Sequence, residues 1–542
     1  MTAAPASSAP PASAAADQSH RALAGAVRSV SLITLISRFA GLIREVLVVR
    51  IFGGTAVGSA FVAAFAIPNL FRRLFGEGAL SAAFIPEYTQ SHKQDAGAAD
   101  RFASLTLIAL LLITTLLTIV IELALAATLL AFSHPPERAF SIRLIMVMLP
   151  FMPLVCTAAI LGGMLQVHGR FAPAAAGPVL LNTLIVATGL YFLTTGTHGD
   201  ATVAYALGIA TVISGGTQCA WFALLLRRYV RWSRAFHDAR ERGARMLRRF
   251  IPVLIGMGTL QINTFLDSFY AMWPIWIGPT LLGFKYPMDE ASNIILASAQ
   301  RLYHFPLGVF GIAVATAVFP LLSRHADEPE QFLQTLRRGL RLSLFIGLPA
   351  SAGLLLIRHD LTAVLYGYGH AGFTPESLAR SAAALAGFAP AVWAYSINHV
   401  LTRAFYARGN TTTPMRIAIG MVFVNAVLNL ILIWPLGEAG LAWATSTSAI
   451  VQCIFLAIAL RSTPAFNGRL IDSGSVRSAA LLVVAVLIMS GVVLLFRFLV
   501  PLPAGWTGSL IGVLLTAAAG VISFTAAAGL LRLPELGWLI RR

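Results

Sequence analysis

Arg38, Arg44, Arg72, Arg73 and Arg301 stand inside segments that are otherwise apolar enough to cross a membrane. A guanidinium at the centre of a bilayer-spanning helix costs roughly 2.5–3.5 kcal/mol on insertion scales, and it does not shed its charge. Several of them in one chain call for an anion within the membrane. The rigid fork of arginine suits phosphate, whose oxygens it grips two at a time. Spacing supports a shared site: Arg44 follows Arg38 at about 9 Å along a helix axis, and Glu45 falls on nearly the same face. Asn69, Arg72, Arg73 and Glu77 stand in i,i+3 or i,i+4 relations and can form one polar stripe. Pro68, Gly76 and Gly78 interrupt that stripe, and backbone freed in this way is tolerated only against protein or a water-filled cavity. Arg301 likewise precedes a break at Pro306 and Gly308. Pairing with Glu45, Glu77 and Glu87 is the competing use of these cations, but the carboxylates are too few for all of them.

A second constellation offers hard oxygen donors. Asp267 is an isolated carboxylate in an apolar run, Asn425 and Asn429 lie one helical turn apart, and Thr445 follows in the next run. Such oxygens bind sodium, carry a proton, or simply hold helices together, and the residues alone leave that choice open. Other chemistry lacks a motif. The three cysteines (Cys156, Cys219, Cys453) are far apart in apolar stretches and are expected as buried thiols, with neither disulfide nor metal. The eleven histidines show no HxxxH or HExxH spacing, and no Walker A or GxGxxG stretch occurs. Neither a catalytic residue nor an organic cofactor is expected.

The elements that must position these groups follow from composition. The chain has 542 residues, 57% hydrophobic and 11% charged, with a net charge of +17 and a mean hydropathy of +0.79. Soluble domains carry about 25% charged residues, so this is an all-α polytopic membrane protein. Runs long enough to span, at about 20 residues each, number about fourteen. All but Lys93 and Lys285 of the basic residues are arginine. They crowd the connection between the sixth and seventh spans, from Arg227 to Arg249, whereas the connections after odd-numbered spans have few. The positive-inside rule then puts both termini in the cytoplasm. No basic block interleaved with aromatics suggests nucleic acid.

An internal repeat relates residues 204–219 to 438–453, with identical pairs at Leu207/Leu441, Thr211/Thr445, Ser214/Ser448, Gln218/Gln452 and Cys219/Cys453. A polar turn and a proline precede each copy, and an asparagine follows that proline (Asn182, Asn425). Two six-span units in one orientation recur in transporters, with the substrate site between them. The expected organisation is a disordered cytoplasmic tail (1–27), an N-terminal lobe (28–230), a basic cytoplasmic loop (231–247), a C-terminal lobe (248–463), and two further spans with a tail (464–542).

Two stretches carry a family resemblance. Ser37-Arg38-Phe39-Ala40-Gly41-Leu42-Ile43-Arg44-Glu45 and Ala66-Ile67-Pro68-Asn69-Leu70-Phe71-Arg72-Arg73-Leu74-Phe75-Gly76-Glu77-Gly78-Ala79 resemble the MurJ/MviN lipid II flippase family. Gln300-Arg301-Leu302 followed by Pro306-Leu307-Gly308-Val309 is similar to that family's eighth-helix motif. The resemblance implies the fold of the multidrug/oligosaccharidyl-lipid/polysaccharide exporter superfamily: two six-helix lobes in a V around a cationic cavity, plus two helices that add a groove for a lipid tail. It implies a transporter and not an enzyme. The cargo would be lipid II, undecaprenyl-pyrophosphoryl disaccharide-pentapeptide, moved by alternating access from the inner to the outer leaflet of the bacterial cytoplasmic membrane for peptidoglycan synthesis. Arg38, Arg44, Arg72 and Arg301 match the family's functional arginines, with Asn69, Arg73 and Glu77 close by.

Sodium is implied at Asp267, Asn425, Asn429 and Thr445, with a proton or the membrane potential as other energy sources. Three positions depart from the pattern. Ser59 and Ala66 stand where some members have Asp and Lys, and Asn429 stands where a carboxylate would bind a cation better. Besides lipid II, membrane lipids and cell-wall synthesis proteins are the expected partners, and a monomer is expected. A flippase for polysaccharide or O-antigen-type lipid-linked oligosaccharides would share the arginines. A drug exporter would prefer acidic groups, and a membrane enzyme of cell-wall assembly would need a carboxylate base in a large external loop, which the chain lacks.

Overall fold

The computed structural model describes residues 12–76, 79–196, 199–236, 239–368, 372–463 and 470–540. Its N-terminal half runs through α1 (Ala12–Phe52), α2 (Ala56–Phe71), a π-helical turn (Arg72–Gly76), α3 (Ala79–Gln94), α4 (Ala96–Ala131), α5 (Pro136–Met148), α6 (Phe151–Val167), α7 (Phe171–Thr195) and α8 (Asp200–Leu226). The second half begins with α9 (Ala239–Ala271), a single turn α10 (Trp273–Trp276) and a small antiparallel hairpin of β1 (Thr280–Leu281) and β2 (Phe284–Lys285). It continues through α11 (Ser292–Pro306), a second π-helical turn (Leu307–Gly311), α12 (Ile312–Arg324), α13 (Pro329–Tyr366), α14 (Pro375–Ala407), α15 (Thr412–Leu436) and α16 (Glu438–Arg461). Three helices close the chain: α17 (Ser473–Leu499), α18 (Trp506–Leu530) and α19 (Pro534–Ile540).

Among the described residues, ten helical segments are long and apolar enough to cross a membrane: α4, α5 with α6, α7, α8, α11 with α12, α13, and α15 to α18. The expected fourteen is compatible with this. The remaining expected spans are α1, α2 with α3, α9 and α14, which pack among the ten. α2 and α3 are each only 16 residues long, and α1, α9 and α14 carry arginines and other polar groups that depress their hydropathy.

Two boundaries differ from expectation. α1 already begins at Ala12, so part of the tail expected to be disordered is helix; its alanine-rich stretch favours that state. Residues 1–11 lie outside the described part. α9 begins at Ala239 and absorbs much of the expected loop 231–247. Its Ala, Arg, Glu, Met and Leu residues are good helix formers. Arg245 there donates to Glu241 at 2.8 Å and to Glu87 of α3 at 3.1 Å.

The repeat is visible in matching bonds. Cys219 of α8 donates to the Leu154 carbonyl at 2.9 Å, and Cys453 of α16 donates to the Ala394 carbonyl at 3.1 Å. α6 and α14 end on glycines of left-handed backbone, Gly169 (φ +75°) and Gly409 (φ +72°). The next amide closes each turn: Arg170 N–H donates to Leu165 O and Asn410 N–H to Phe405 O.

The halves meet where α2 and α11 begin. The buried Ser59 hydroxyl accepts from the Ile294 N–H at 3.2 Å, and Asn293 Nδ2 donates to Ser59 O at 3.0 Å. At the same end Arg380 of α14 grips Asp289 with both guanidinium arms (2.7 and 2.8 Å) and also pairs with Glu438. Burial pushes the Asp289 carboxyl up, but Arg380 overrides this and holds it below the usual carboxylate range. α17 to α19 are fastened to α13 at both ends. Arg497 pairs with Asp360 at 2.8 Å, and Arg341 donates to the buried Glu535 at 2.6 Å.

Candidate functional site

A cavity of about 1260 Å³ lies between the halves. Its polar wall contains Arg38 and Arg44 from α1, Asn69 from α2, Arg72 and Arg73 from the first π-helical turn, and Arg301 from α11. Asn182 of α7 and His304 of α11 complete that wall. The opposite part is apolar, built by Pro349, Gly353 and Ile357 of α13, Met489 and Val493 of α17, and Val521 and Phe524 of α18. A smaller cavity of about 130 Å³ adjoins it and is lined by Glu45, Gln261 and Gln300 among others.

Local backbone explains how the cations converge. Pro68 and Gly76 bracket the first π-helical turn, and the second begins directly after Pro306 and contains Gly308. A π turn takes one extra residue per turn and re-aims the side chains around it. Arg72 and Arg73 of the first turn and Pro306 just before the second line the cavity, and disturbed backbone is tolerated in a membrane protein beside such a space. Arg38 lies against the second turn: a Cβ at Gly308 would stand 2.0 Å from Arg38 Nη1. Phe39 and Phe305 touch edge-to-face nearby, with ring centroids 6.0 Å apart.

The charges are partly bridged. Arg44 is buried; its Nη1 donates to Asn182 Oδ1 at 3.1 Å and its Nη2 to Glu45 Oε2 at 3.4 Å. The Arg44 guanidinium also lies 4.6 Å from the Phe65 ring centroid. Arg301 Nη2 donates to the same Glu45 oxygen at 3.1 Å. Arg72 Nε donates to Asn69 Oδ1 at 2.7 Å, and Arg73 Nη1 reaches Gln261 Oε1 of α9 at 3.2 Å. Arg38 makes no hydrogen bond or ion pair among the described residues. Five guanidiniums thus line one chamber whose described lining includes no carboxylate. Among the described residues Glu45 is shared between two of them, and a wall so rich in guanidiniums is suited to a multivalent oxyanion.

The structure therefore brings together Arg38, Arg44, Asn69, Arg72, Arg73 and Arg301, from both halves of the chain. Glu77 lies outside the described residues. Sequence reasoning missed Asn182, Gln261 and His304 as lining groups; the pairing with Glu45 that it weighed is made by Arg44 and Arg301. Asn182 had a signal: it is the repeat counterpart of Asn425. Gln261 and His304 had none.

The second constellation also assembles, away from the cavity and inside the C-terminal half. Asp267, Asn425, Asn429 and Thr445 are all buried. Asn429 Nδ2 donates to Asp267 Oδ1 at 2.8 Å and to Asn425 Oδ1 at 3.1 Å, and Thr445 Oγ1 donates to Asp267 Oδ2 at 3.3 Å. The layout mirrors the first half: α1 and α7 meet through Arg44 and Asn182, α9 and α15 through Asp267 and Asn429.

Comparison with known proteins agrees with this arrangement. A solved structure described as "Lipid II flippase MurJ, inward closed conformation" superposes with a TM-score of 0.75 at 23% identity, covering 93% of this chain and 99% of that one. An inward-facing multidrug resistance MATE family transporter of the MOP superfamily gives 0.65 at 17% identity, covering 82% and 99%. A protein of Vibrio cholerae serotype O1 named "Probable lipid II flippase MurJ" is 31% identical over 481 residues, 84% of this chain and 87% of that protein. The sequence profile described as "Lipid II flippase MurJ" matches residues 48–514, across the arginine-bearing elements from Arg72 to Arg301 and most of both halves. The chain belongs to the MurJ lipid II flippase family.

Proposed function

We propose that this multi-pass membrane protein is a transporter that carries lipid II from the inner to the outer leaflet of the bacterial cytoplasmic membrane. One observation carries the reading: guanidiniums from both halves line a chamber that is continuous with an apolar wall of α13, α17 and α18. Pockets for drug-sized ligands run to about 1,000 Å³. This chamber is larger, in keeping with a diphosphate bearing a disaccharide. Arg38, Arg44, Arg72 and Arg301 hold the diphosphate, and Asn69 and Arg73 stand beside it. The prenyl chain lies along the apolar wall or in the surrounding lipid.

No covalent step is needed. The contacts of Ser59 with Asn293 and Ile294 close the end of the chamber remote from the basic connection, which we place outside, with both termini in the cytoplasm. Rocking of the halves breaks these contacts and opens the chamber outward. Five like charges repel one another when the chamber is empty, so an anionic headgroup favours the arrangement that draws them together. The membrane potential is worth about 2.3 kcal/mol per charge per 100 mV, and it returns the empty cationic carrier inward.

The test is outer-leaflet lipid II in cells depleted of their own flippase. Arg44→Ala removes a buried charge-assisted contact, and accumulation is expected to fall by about tenfold or more while the protein stays folded in the membrane. Wild-type accumulation in that variant would remove Arg44 from the site. Rescue of a lipid-linked polysaccharide exporter, with none of lipid II export, would reassign the cargo.

A further inference from the structure

Sodium at Asp267, Asn425, Asn429 and Thr445 is what family resemblance implies, and the donor set can be weighed against that ion. A hard monovalent cation needs several oxygens turned on one point with no N–H among them. Here the Asn429 amide nitrogen occupies the space between the oxygens, 2.8 Å from Asp267 Oδ1 and 3.1 Å from Asn425 Oδ1. Its N–H groups point at the two acceptors a cation would take. Thr445 Oγ1 answers the other Asp267 oxygen at 3.3 Å. The buried carboxylate thereby has neutral groups from α15 and α16 at both oxygens, Thr445 sharing its one hydroxyl proton with the Leu441 carbonyl at 3.1 Å.

The residue type at 429 decides the matter. Two carboxylates at this separation would repel each other and call for a cation between them. An amide has the same shape but brings its own donor. Turning the amide over would set Asn429 Oδ1 against the Asp267 carboxylate, which is unfavourable without an ion. We infer that in this chain the Asn429 side chain takes the place of the cation. It ties α9, α15 and α16 together without sodium, and the transport cycle is not coupled to sodium through this site. The inference is independent of which lipid is carried.

The test uses the purified full-length protein in detergent. Sodium chloride is titrated against choline chloride at constant ionic strength, following thermal unfolding and the heat of binding. The wild type is expected to show no difference between the salts. Asn429→Asp is expected to gain a sodium-specific rise of a few degrees in Tm, because a ligand that binds only the folded state stabilises it. Sodium-specific stabilisation or heat in the wild type would overturn the inference. So would an Asn429→Asp protein that folds and is as silent as the wild type, since the amide would then not be what excludes the ion. Should that variant fail to fold, the wild-type titration decides alone.

Discussion

Glu45 accepts from guanidiniums that belong to different halves of the chain, Arg44 at 3.4 Å and Arg301 at 3.1 Å. A carboxylate so placed is a shared counter-charge, and under the proposed function an incoming diphosphate would compete with it. Glu45→Gln keeps the shape and an acceptor oxygen but leaves two facing cations without their shared counter-charge. It is expected to lower the stability of the empty protein by about 1–2 kcal/mol, the smaller figure reflecting the partial solvation of Arg301. Thermal unfolding with and without lipid II measures this, and the substrate is expected to recover most of the loss. The arginines were legible in the sequence because a charge in an apolar run has no routine explanation. Gln261 and His304 were not, since a neutral polar residue in a membrane helix is as often a packing contact as a lining group. Their place depends on how α9 and α11 are rotated, which no local pattern fixes.

Among the elements, the paired turns show which local rules the chain obeys most strictly. Gly169 and Gly409 adopt left-handed backbone, and a Cβ at either would meet nothing within 4 Å. The cost of Gly409→Ala is therefore one of backbone alone, about 1–2 kcal/mol. A Tm lowered by a few degrees with unchanged transport would bear this out, and the same holds for Gly169→Ala. Helix identities were legible from apolar runs and from prolines at their starts. The starts of α1 and α9 were not, because a charged or alanine-rich stretch beyond the bilayer reads as loop by hydropathy although its helix propensity is high. The breaks at Pro68 and Pro306 announced themselves, but their form as π turns did not. Arg38 packs against Gly308 in the second turn and Arg72 of the first lines the cavity, surroundings made by elements distant in sequence.

Across the whole molecule, the duplicated halves have diverged in charge while keeping their framework. The same pair of helices meets through a cation and an asparagine in one half and through a carboxylate and an asparagine in the other. The last helices stand outside the repeat and are held to α13 by few polar contacts. Arg341 pairs with Glu535, whose side chain is 2% exposed and also accepts from Ser478. Arg341→Ala strands that carboxylate and is expected to cost about 3 kcal/mol of docking. Limited proteolysis near residues 470–472 should speed up, and the variant should bind longer-chain prenyl diphosphates more weakly than the wild type does while short-chain binding changes less. The duplication and the cationic chamber could be anticipated from sequence. The groove of the last two helices came only with the family resemblance, and the part α13 takes in it was not legible, because it rests on the packing of α18 against a helix that precedes it by more than a hundred residues.

The seam formed by Ser59, Asn293 and Ile294 contains no ion pair, only a hydroxyl, an amide and peptide groups. Dissolved electrolyte shields charges but leaves such a seam nearly untouched. Brine should therefore blunt the chamber's grip on its cargo while the barrier on the far side stays as tight as before. A bacterium meeting osmotic stress would slow its export without springing a leak.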